Sequence, residues 1–164
     1  MLETIKSVLN IKFPEGWLIE EQLSGLQPAF VVQPELLHRI CLELRSNRSL
    51  YFDFLACLSG VDHGQQSNIF EVVYHLTSIP HRSQVVLKVQ TVHDRSLSTL
   101  PTFQSVADIW PTAEWHEREA YDLVGIWFEG NPDLRRILLP DDWVGHPLRK
   151  DYQNPEYYKT IKVD

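Results

Sequence analysis

Hydrophobic positions along the chain follow two periods, and these divide the first 125 residues into short elements. Leu2, Ile5, Val8 and Leu9 share one face at helical spacing, which predicts a first helix ending before Pro14. Residues 17–20 and 29–33 read as short strands separated by a turn region at Gly25. Pro34 opens a second helix, in which Leu36, Leu37, Ile40, Cys41 and Leu44 hold one face and Asn47 is the stop. The run 51–58 is mostly apolar, and periodicity alone assigns it to neither element type. Residues 69–77 and 85–92 are rich in β-branched side chains and are the clearest strands, with a hairpin-length loop at 78–82. Residues 102–110 read as a short helix ended by Pro111, and residues 112–124 as another, stopped by Gly125 just past its cap. This order predicts an α+β fold, an antiparallel or mixed sheet with helices packed on one side.

Past Gly125 the pattern changes. Residues 126–164 carry no helical or strand period long enough to make an element, and four prolines (Pro132, Pro140, Pro147, Pro155) punctuate them. Unstructured connections longer than about 12–15 residues are uncommon, and are either functional or disordered. Ile126, Trp127, Phe128, Ile137, Leu138, Leu139, Trp143 and Tyr152 make this stretch too apolar for a solvated tail. The expectation is therefore an α+β body over residues 1–125, followed by a long extended C-terminal arm over 126–164. The body has little spare surface to receive that arm, so the arm is expected to lie on a partner.

Charge narrows the choice of partner. The 164 residues hold 22 acids and 15 bases, a formal net charge of −7. Seven of the acids and six of the bases fall in residues 126–164, leaving fifteen and nine in an acidic body. An acidic body argues against phosphate-backbone binding, so nucleic acid is excluded as a partner. The two cysteines, Cys41 and Cys57, read as buried thiols and are too few for an iron–sulfur cluster, which takes four thiolates. No signal peptide opens the chain and no run approaches the roughly 20 apolar residues of a membrane span. A cytoplasmic chain without direct membrane insertion is expected, any membrane link coming through other subunits.

Candidate chemistry concentrates in residues 114–151. Glu114 and Arg118, and Arg118 and Asp122, are spaced i,i+4, and such exposed pairs contribute only a few tenths of a kcal/mol (about 0.2–0.5). Glu117 shares a helical face with Ala113, Ala120, Tyr121 and Val124, an apolar stripe on which a carboxylate is costly unless a cation or several donors meet it. Pattern alone favours a half-exposed glutamate at the stripe's edge; the sharper reading has it receive an arginine from the arm or from another subunit. Arg135–Arg136 and Arg149–Lys150–Asp151 read either as a solvated face or as interfacial ion pairs, and the apolar neighbours favour the second. Trp110, Trp115, Trp127 and Trp143 support an anchoring role, although Trp110 and Trp115 are equally compatible with the core. Seven histidines show no helical zinc spacing, Ser59–Gly60 is not a nucleophile elbow, and the glycines form no phosphate loop. Autonomous catalysis is not supported.

The stretch Glu117-Arg118-Glu119-Ala120-Tyr121-Asp122-Leu123, then Gly125-Ile126, then Asn131-Pro132-Asp133-Leu134-Arg135-Arg136-Ile137-Leu138, closely resembles a known signature. It is that of the C-type subunit, the 30 kDa subunit family, of proton-translocating NADH:quinone oxidoreductase, respiratory complex I. The likeness continues through Leu139-Pro140-Asp141-Asp142-Trp143 and Gly145-His146-Pro147-Leu148-Arg149-Lys150-Asp151-Tyr152, and more weakly reaches back to residues 74–76. Asn131 stands where the family usually has histidine, and Gln153 where proline commonly follows. The resemblance implies a non-catalytic structural and assembly subunit of the peripheral arm, with no cofactor of its own. It also implies that FMN, iron–sulfur clusters, NADH and quinone belong to other chains, and that the neighbours are the D-type quinone-site subunit and cluster-bearing subunits. The implied location is peripheral, on the cytoplasmic side of the bacterial inner membrane. Glu117, Arg118, Glu119, Tyr121, Asp122, Asn131, Pro132, Asp133, Arg135, Arg136, Pro140, Trp143, His146, Pro147, Arg149, Lys150 and Asp151 are the expected interface, and the resemblance favours a buried, arginine-paired Glu117. The chain stops soon after the motif, which predicts a separate subunit and not one fused to its neighbour.

Two rivals remain. One is the equivalent subunit of a related complex: a ferredoxin-using photosynthetic type, a membrane-bound hydrogenase or an F420 dehydrogenase. The other is a free-standing binding domain or small enzyme, whose activity would survive loss of residues 126–164. The assembly reading expects that truncation to leave the body folded and block assembly.

Overall fold

Where hydrophobic spacing is regular, the elements form as that spacing predicts. A computed structural model describes residues 1–24, 27–96 and 98–162; the turn expected at Gly25 lies outside them. Helix α1 (Leu2–Lys12) buries Ile5 and Leu9 and ends as the Phe13 N–H bonds to Leu9 O, just before Pro14. Helix α2 (Leu37–Ser46) follows a single 3-10 turn at Pro34–Leu36, buries Leu37, Ile40, Cys41 and Leu44, and stops at Asn47 in extended conformation. Strands β1 (Leu18–Gln22), β2 (Ala29–Val32), β3 (Phe54–Asp62), β4 (Ile69–Ser78) and β5 (Ser83–Val92) form one sheet in the order β1-β2-β5-β4-β3. Only the β2–β5 pairing is parallel, so the sheet is mixed. The unassigned run 51–58 thus enters β3.

All three helices cover one face of this sheet. Phe30 and Val32, Leu55 and Leu58, Phe70, Val72, Tyr74 and Leu76, and Val85, Leu87 and Val89 point into a single core with the buried residues of α1, α2 and α3 (Ala113–Val124). Helix α3 lies against β3, and Gly60 permits the close approach. A Cβ there would lie 2.9 Å from Ile126 Cδ1 and 3.2 Å from Ala120 Cβ. On the opposite face, bridges from Lys88 to Gln22 (2.7 Å) and from Gln27 to Gln84 (2.8 Å) run over the small apolar residues of β2. Cys57 is exposed, contrary to expectation, because the β3 irregularity between Leu55 and Cys57 turns it out of the core; Cys41 is buried, and burial pushes its thiol pKa up.

Two further expectations are corrected. Residues 102–110 are not a helix: they form β6 (Thr102–Gln104), parallel to β7 (Trp127–Glu129), and then one hydrogen-bonded turn at Val106–Trp110. The partner of β6 lies over twenty residues ahead, so a non-local pairing overrides the local helical pattern. Residues beyond Gly125 do form elements, but of two or three residues each: β7, and the hairpin β8 (Tyr157–Tyr158) and β9 (Ile161–Lys162). Runs that short have no readable period. Ile126 and Phe128 are fully buried in the common core, so the chain past Gly125 begins as part of the body's packing.

Candidate functional site

Three buried carboxylates of residues 1–125 hold the chain that follows. The first is Glu117, on the inward face of α3 and wholly inaccessible. It accepts hydrogen bonds from Ser105 Oγ (2.7 Å), the Val106 N–H (2.8 Å) and Asn131 Nδ2 (2.8 Å). Burial raises its pKa, only partly offset by these donors. The arginine expected at Glu117 is absent among the described residues; three neutral donors satisfy it instead, which also overturns the half-exposed alternative.

The second carboxylate, Asp122, takes the cation. Its Oδ2 accepts three successive backbone N–H groups, from Ile137 (3.1 Å), Leu138 (2.8 Å) and Leu139 (2.9 Å), while Oδ1 accepts Arg136 Nη1 at 2.6 Å. Consecutive amides turned to one point make an anion-binding concavity. Burial pushes the Asp122 carboxyl upward, but these donors outweigh it and hold it below its ordinary value. Arg136 Nη2 continues to the carbonyls of Trp143 (2.9 Å) and Gly145 (3.0 Å), so one guanidinium fixes the path of the chain as far as Gly145. His146 Nδ1 donates to Asp122 O at 3.0 Å, and burial lowers its pKa, aided by the Arg136 and Arg149 charges. Gly125, the left-handed cap of α3 at φ 75°, lies under the His146 ring; a Cβ would sit 2.5 Å from His146 Cδ2.

The third is Asp62, at the end of β3. Arg95 binds both of its oxygens, Nη1 to Oδ2 at 2.9 Å, and the N–H groups of Gly64 and Lys150 each donate at 2.8 Å. Burial alone would raise its pKa; the Arg95 hydrogen bonds and charge and the two amides bring it down to about 2. Arg149 donates to Asp151 through Nε (3.0 Å) and Nη2 (3.1 Å) and to Arg95 O (3.0 Å), closing a four-residue cluster. Arg95 and Arg149 both lie over the Phe70 ring, at 5.0 and 5.2 Å from its centroid.

The expected interface residues therefore divide. Glu117, Arg118, Asp122, His146 and Arg149 are buried. Asn131, Asp133, Arg136, Pro147 and Asp151 are partly buried, and so are Tyr121, which meets Trp127 edge-on, and Trp143, which lies tilted against Tyr158. Glu119, Pro132, Arg135, Pro140 and Lys150 are exposed. The i,i+4 pairs expected of Arg118 do not form among the described residues; its guanidinium donates to the carbonyls of Arg135 (3.3 Å) and Arg136 (3.0 Å) and stacks on Trp115. Sequence reasoning missed Asp62, Arg95 and Ser105. Asp62 was detectable as a polar residue at an inward strand position; Arg95, whose partners lie 33 and 54 residues away, gave no local signal.

Outside these ties, the same segment turns apolar side chains to solvent: Leu138 (63% exposed), Val144 (80%) and Leu148 (58%), beside the half-exposed Trp115 and Trp127. Among the described residues no three His, Cys, Asp or Glu side chains converge to hold a metal ion, and no helix is long and apolar enough to cross a membrane. The arrangement can orient a surface.

A family model described as "Respiratory-chain NADH dehydrogenase, 30 Kd subunit" matches residues 30–158. The chain is 47% identical over 140 residues to the C-type subunit of NADH-quinone oxidoreductase from Chloroherpeton thalassium, covering 84% of this chain and 55% of that protein. It is 48% identical over 127 residues to the counterpart from Chlorobium phaeobacteroides (76% and 72% covered), and 40% identical over 148 residues to that of a Roseiflexus species (90% and 82%). It thus spans about half the length of some of these relatives and most of others. A chain in the structure of the membrane-bound sulfane sulfur reductase, an archaeal respiratory membrane complex, superposes with TM-score 0.68 at 25% identity, over 90% of this chain and 85% of that one. The chain belongs to the family of the 30 kDa subunit of respiratory-chain NADH dehydrogenase.

Proposed function

We propose that this chain is a non-catalytic structural subunit in the peripheral arm of a proton-translocating NADH:quinone oxidoreductase. Other subunits carry NADH, FMN, the iron–sulfur clusters and quinone. The side of residues 126–164 that faces away from the body lies on a neighbouring D-type quinone-site subunit and on cluster-bearing subunits, on the cytoplasmic side of the inner membrane. The observation that carries this reading is a segment with almost no regular structure, held from within by buried charge and presenting Leu138, Val144 and Leu148 outward. A surface ordered beforehand gives up little conformational freedom on binding. The family relationship supports the same reading.

The test is to tag the chain at its N-terminus in its host, purify it from detergent-solubilised membranes, and assay NADH oxidation with a quinone acceptor. A large flavin- and cluster-containing assembly that oxidises NADH is expected. A lone 19.1 kDa species would sink the proposal. A second reading, the same role in a complex with another electron donor, draws support from the likeness to the sulfane sulfur reductase chain. An assembly of the same architecture that is inert towards NADH would select it.

A further inference from the structure

Six of the nine arginines form ion pairs among the described residues: Arg39, Arg95, Arg118, Arg135, Arg136 and Arg149. Arg45, Arg48 and Arg82 form none there. Arg45 lies in the last turn of α2, Arg48 in the turn that follows it, and Arg82 in the turn joining β4 to β5. Side-chain bonds tie these turns together at one end of the sheet. His81 Nε2 donates to Arg48 O at 3.0 Å, and the Ile79 N–H donates to Asp53 Oδ1 at 2.9 Å. Asp53 is thereby engaged with a neutral donor and forms no ion pair with the three arginines. The Arg45 guanidinium lies over the Tyr51 ring, 5.0 Å from its centroid, and Tyr51, Phe54 and Ile79 expose apolar surface at the same end. The backbone is left-handed at Tyr51 (φ 40°) and Arg82 (φ 48°), where glycine meets least resistance. Strain of this kind clusters at binding and switch sites.

We infer that this end of the sheet is a second docking surface, which receives an acidic segment of a neighbouring protein chain on Arg45, Arg48 and Arg82. Tyr51 and Ile79 take the apolar contacts of that segment. The inference rests on the assembly reading above and adds to it a contact made by the body, apart from residues 126–164. A guanidinium presents paired N–H donors that match a carboxylate, and arginine and tyrosine are frequent interface anchors. An anionic lipid surface fits less well. Patches that read such a surface gather about four to eight basic residues, and this one has three. A charged plane would also repel a chain of net charge −7, whereas screening confines a single carboxylate's reach to about 8–10 Å.

The test places a benzophenone side chain at Ile79 of the tagged full chain and irradiates the assembly purified from detergent-solubilised membranes. The cross-linked peptide, identified by mass, is expected to belong to another protein chain and to carry Asp or Glu. Arg45→Gln, Arg48→Gln and Arg82→Gln combined should leave the melting of the chain little changed. They should lower the yield of that cross-link about tenfold or more, the loss expected from one charge-assisted contact upward. An undiminished yield would overturn the proposal. So would a cross-link to lipid, to a peptide without Asp or Glu, or to nothing while the assembly is intact. If the triple variant unfolds, the cross-link made with all three arginines in place still decides. Wild type emerging alone from the extract would sink the assembly reading, and this inference with it.

Discussion

Asp122 Oδ1 and Arg136 Nη1 meet at 2.6 Å, and each is the other's only side-chain counter-charge among the described residues. Removing one leaves the other buried and unmatched. Asp122→Ala should therefore destabilise the fold by about 3–5 kcal/mol, the range for breaking a buried pair from one side. Asp122→Asn, which keeps one oxygen for the amides of 137–139, should lose less. Urea unfolding followed by tryptophan fluorescence measures both, and an Ala variant within experimental error of wild type would contradict the account.

Asp62 gives the fold an acid limit. Its pKa falls from an ordinary 3.8 to about 2 on folding, so the folded state favours the ionised form. That contribution is present above about pH 4, and is lost as pH falls from about 4 to about 2; its full size is roughly 2 kcal/mol. Asp62→Asn should be less stable at neutral pH and flatter across that window. Unfolding curves from acid to neutral pH would show it.

Glu117 acts in the opposite direction. Burial raises its pKa, so above the ordinary value of 4.5 the folded state holds its proton longer than the unfolded one, and stability falls as pH rises through that interval. Glu117→Gln abolishes this slope. It also sets an NH₂ against the Val106 N–H or the Ser105 and Asn131 donors, at a cost of about 1–3 kcal/mol. The stability gap between the variant and wild type should be widest on the acid side of that interval and narrow towards neutrality.

Gly125→Ala should destabilise by about 2–4 kcal/mol, because a left-handed backbone and a 2.5 Å approach to the His146 ring are both violated. Displacement of His146 would also break its bond to Asp122 O. Loss of a slowly exchanging His146 Nδ1–H in NMR spectra of this variant reports that displacement directly.

The two adjacent arginines should behave differently. Arg135→Glu reverses an exposed charge whose one ion pair among the described residues is with the partly exposed Asp133, so melting should change little while recovery of partner chains falls. Arg136→Glu places two carboxylates together in the interior and should prevent folding. Equal effects of both on assembly, with both folded, would contradict the division between inner and outer sides of the segment.

Much of this was legible in sequence, and the failures have physical causes. α1, α2, α3 and the β4–β5 hairpin announce themselves because one buried face imposes a period over eight or more residues. β6 and β7 are three residues each and define one another across the intervening helix, so neither had a local strand pattern, and residues 102–110 read as helical instead. Glu117 stood out as an acid on an apolar stripe, and Asp122 only as an i,i+4 partner of Arg118. Which of them would take the arginine depended on the position of a non-periodic chain, and sequence reasoning chose wrongly. Cys57 was misplaced for the same kind of reason: a one-residue irregularity reverses which face a strand position occupies.

The ties at Asp62, Glu117 and Asp122 also fix an order of events at the ribosome. Asp62 is synthesised 88 residues before the Lys150 amide that it binds, and Glu117 and Asp122 come 14 residues before Asn131 and Arg136. Until those later residues emerge, Asp122 has no counter-charge, Glu117 and Asp62 have only part of their donors, and the Ile126 and Phe128 slots stand empty. A chain cut after residue 125 should therefore remain unfolded and sensitive to protease, contrary to the folded body that the sequence suggested. Synthesis of residues 126–150 is the step that completes all three ties and closes the core.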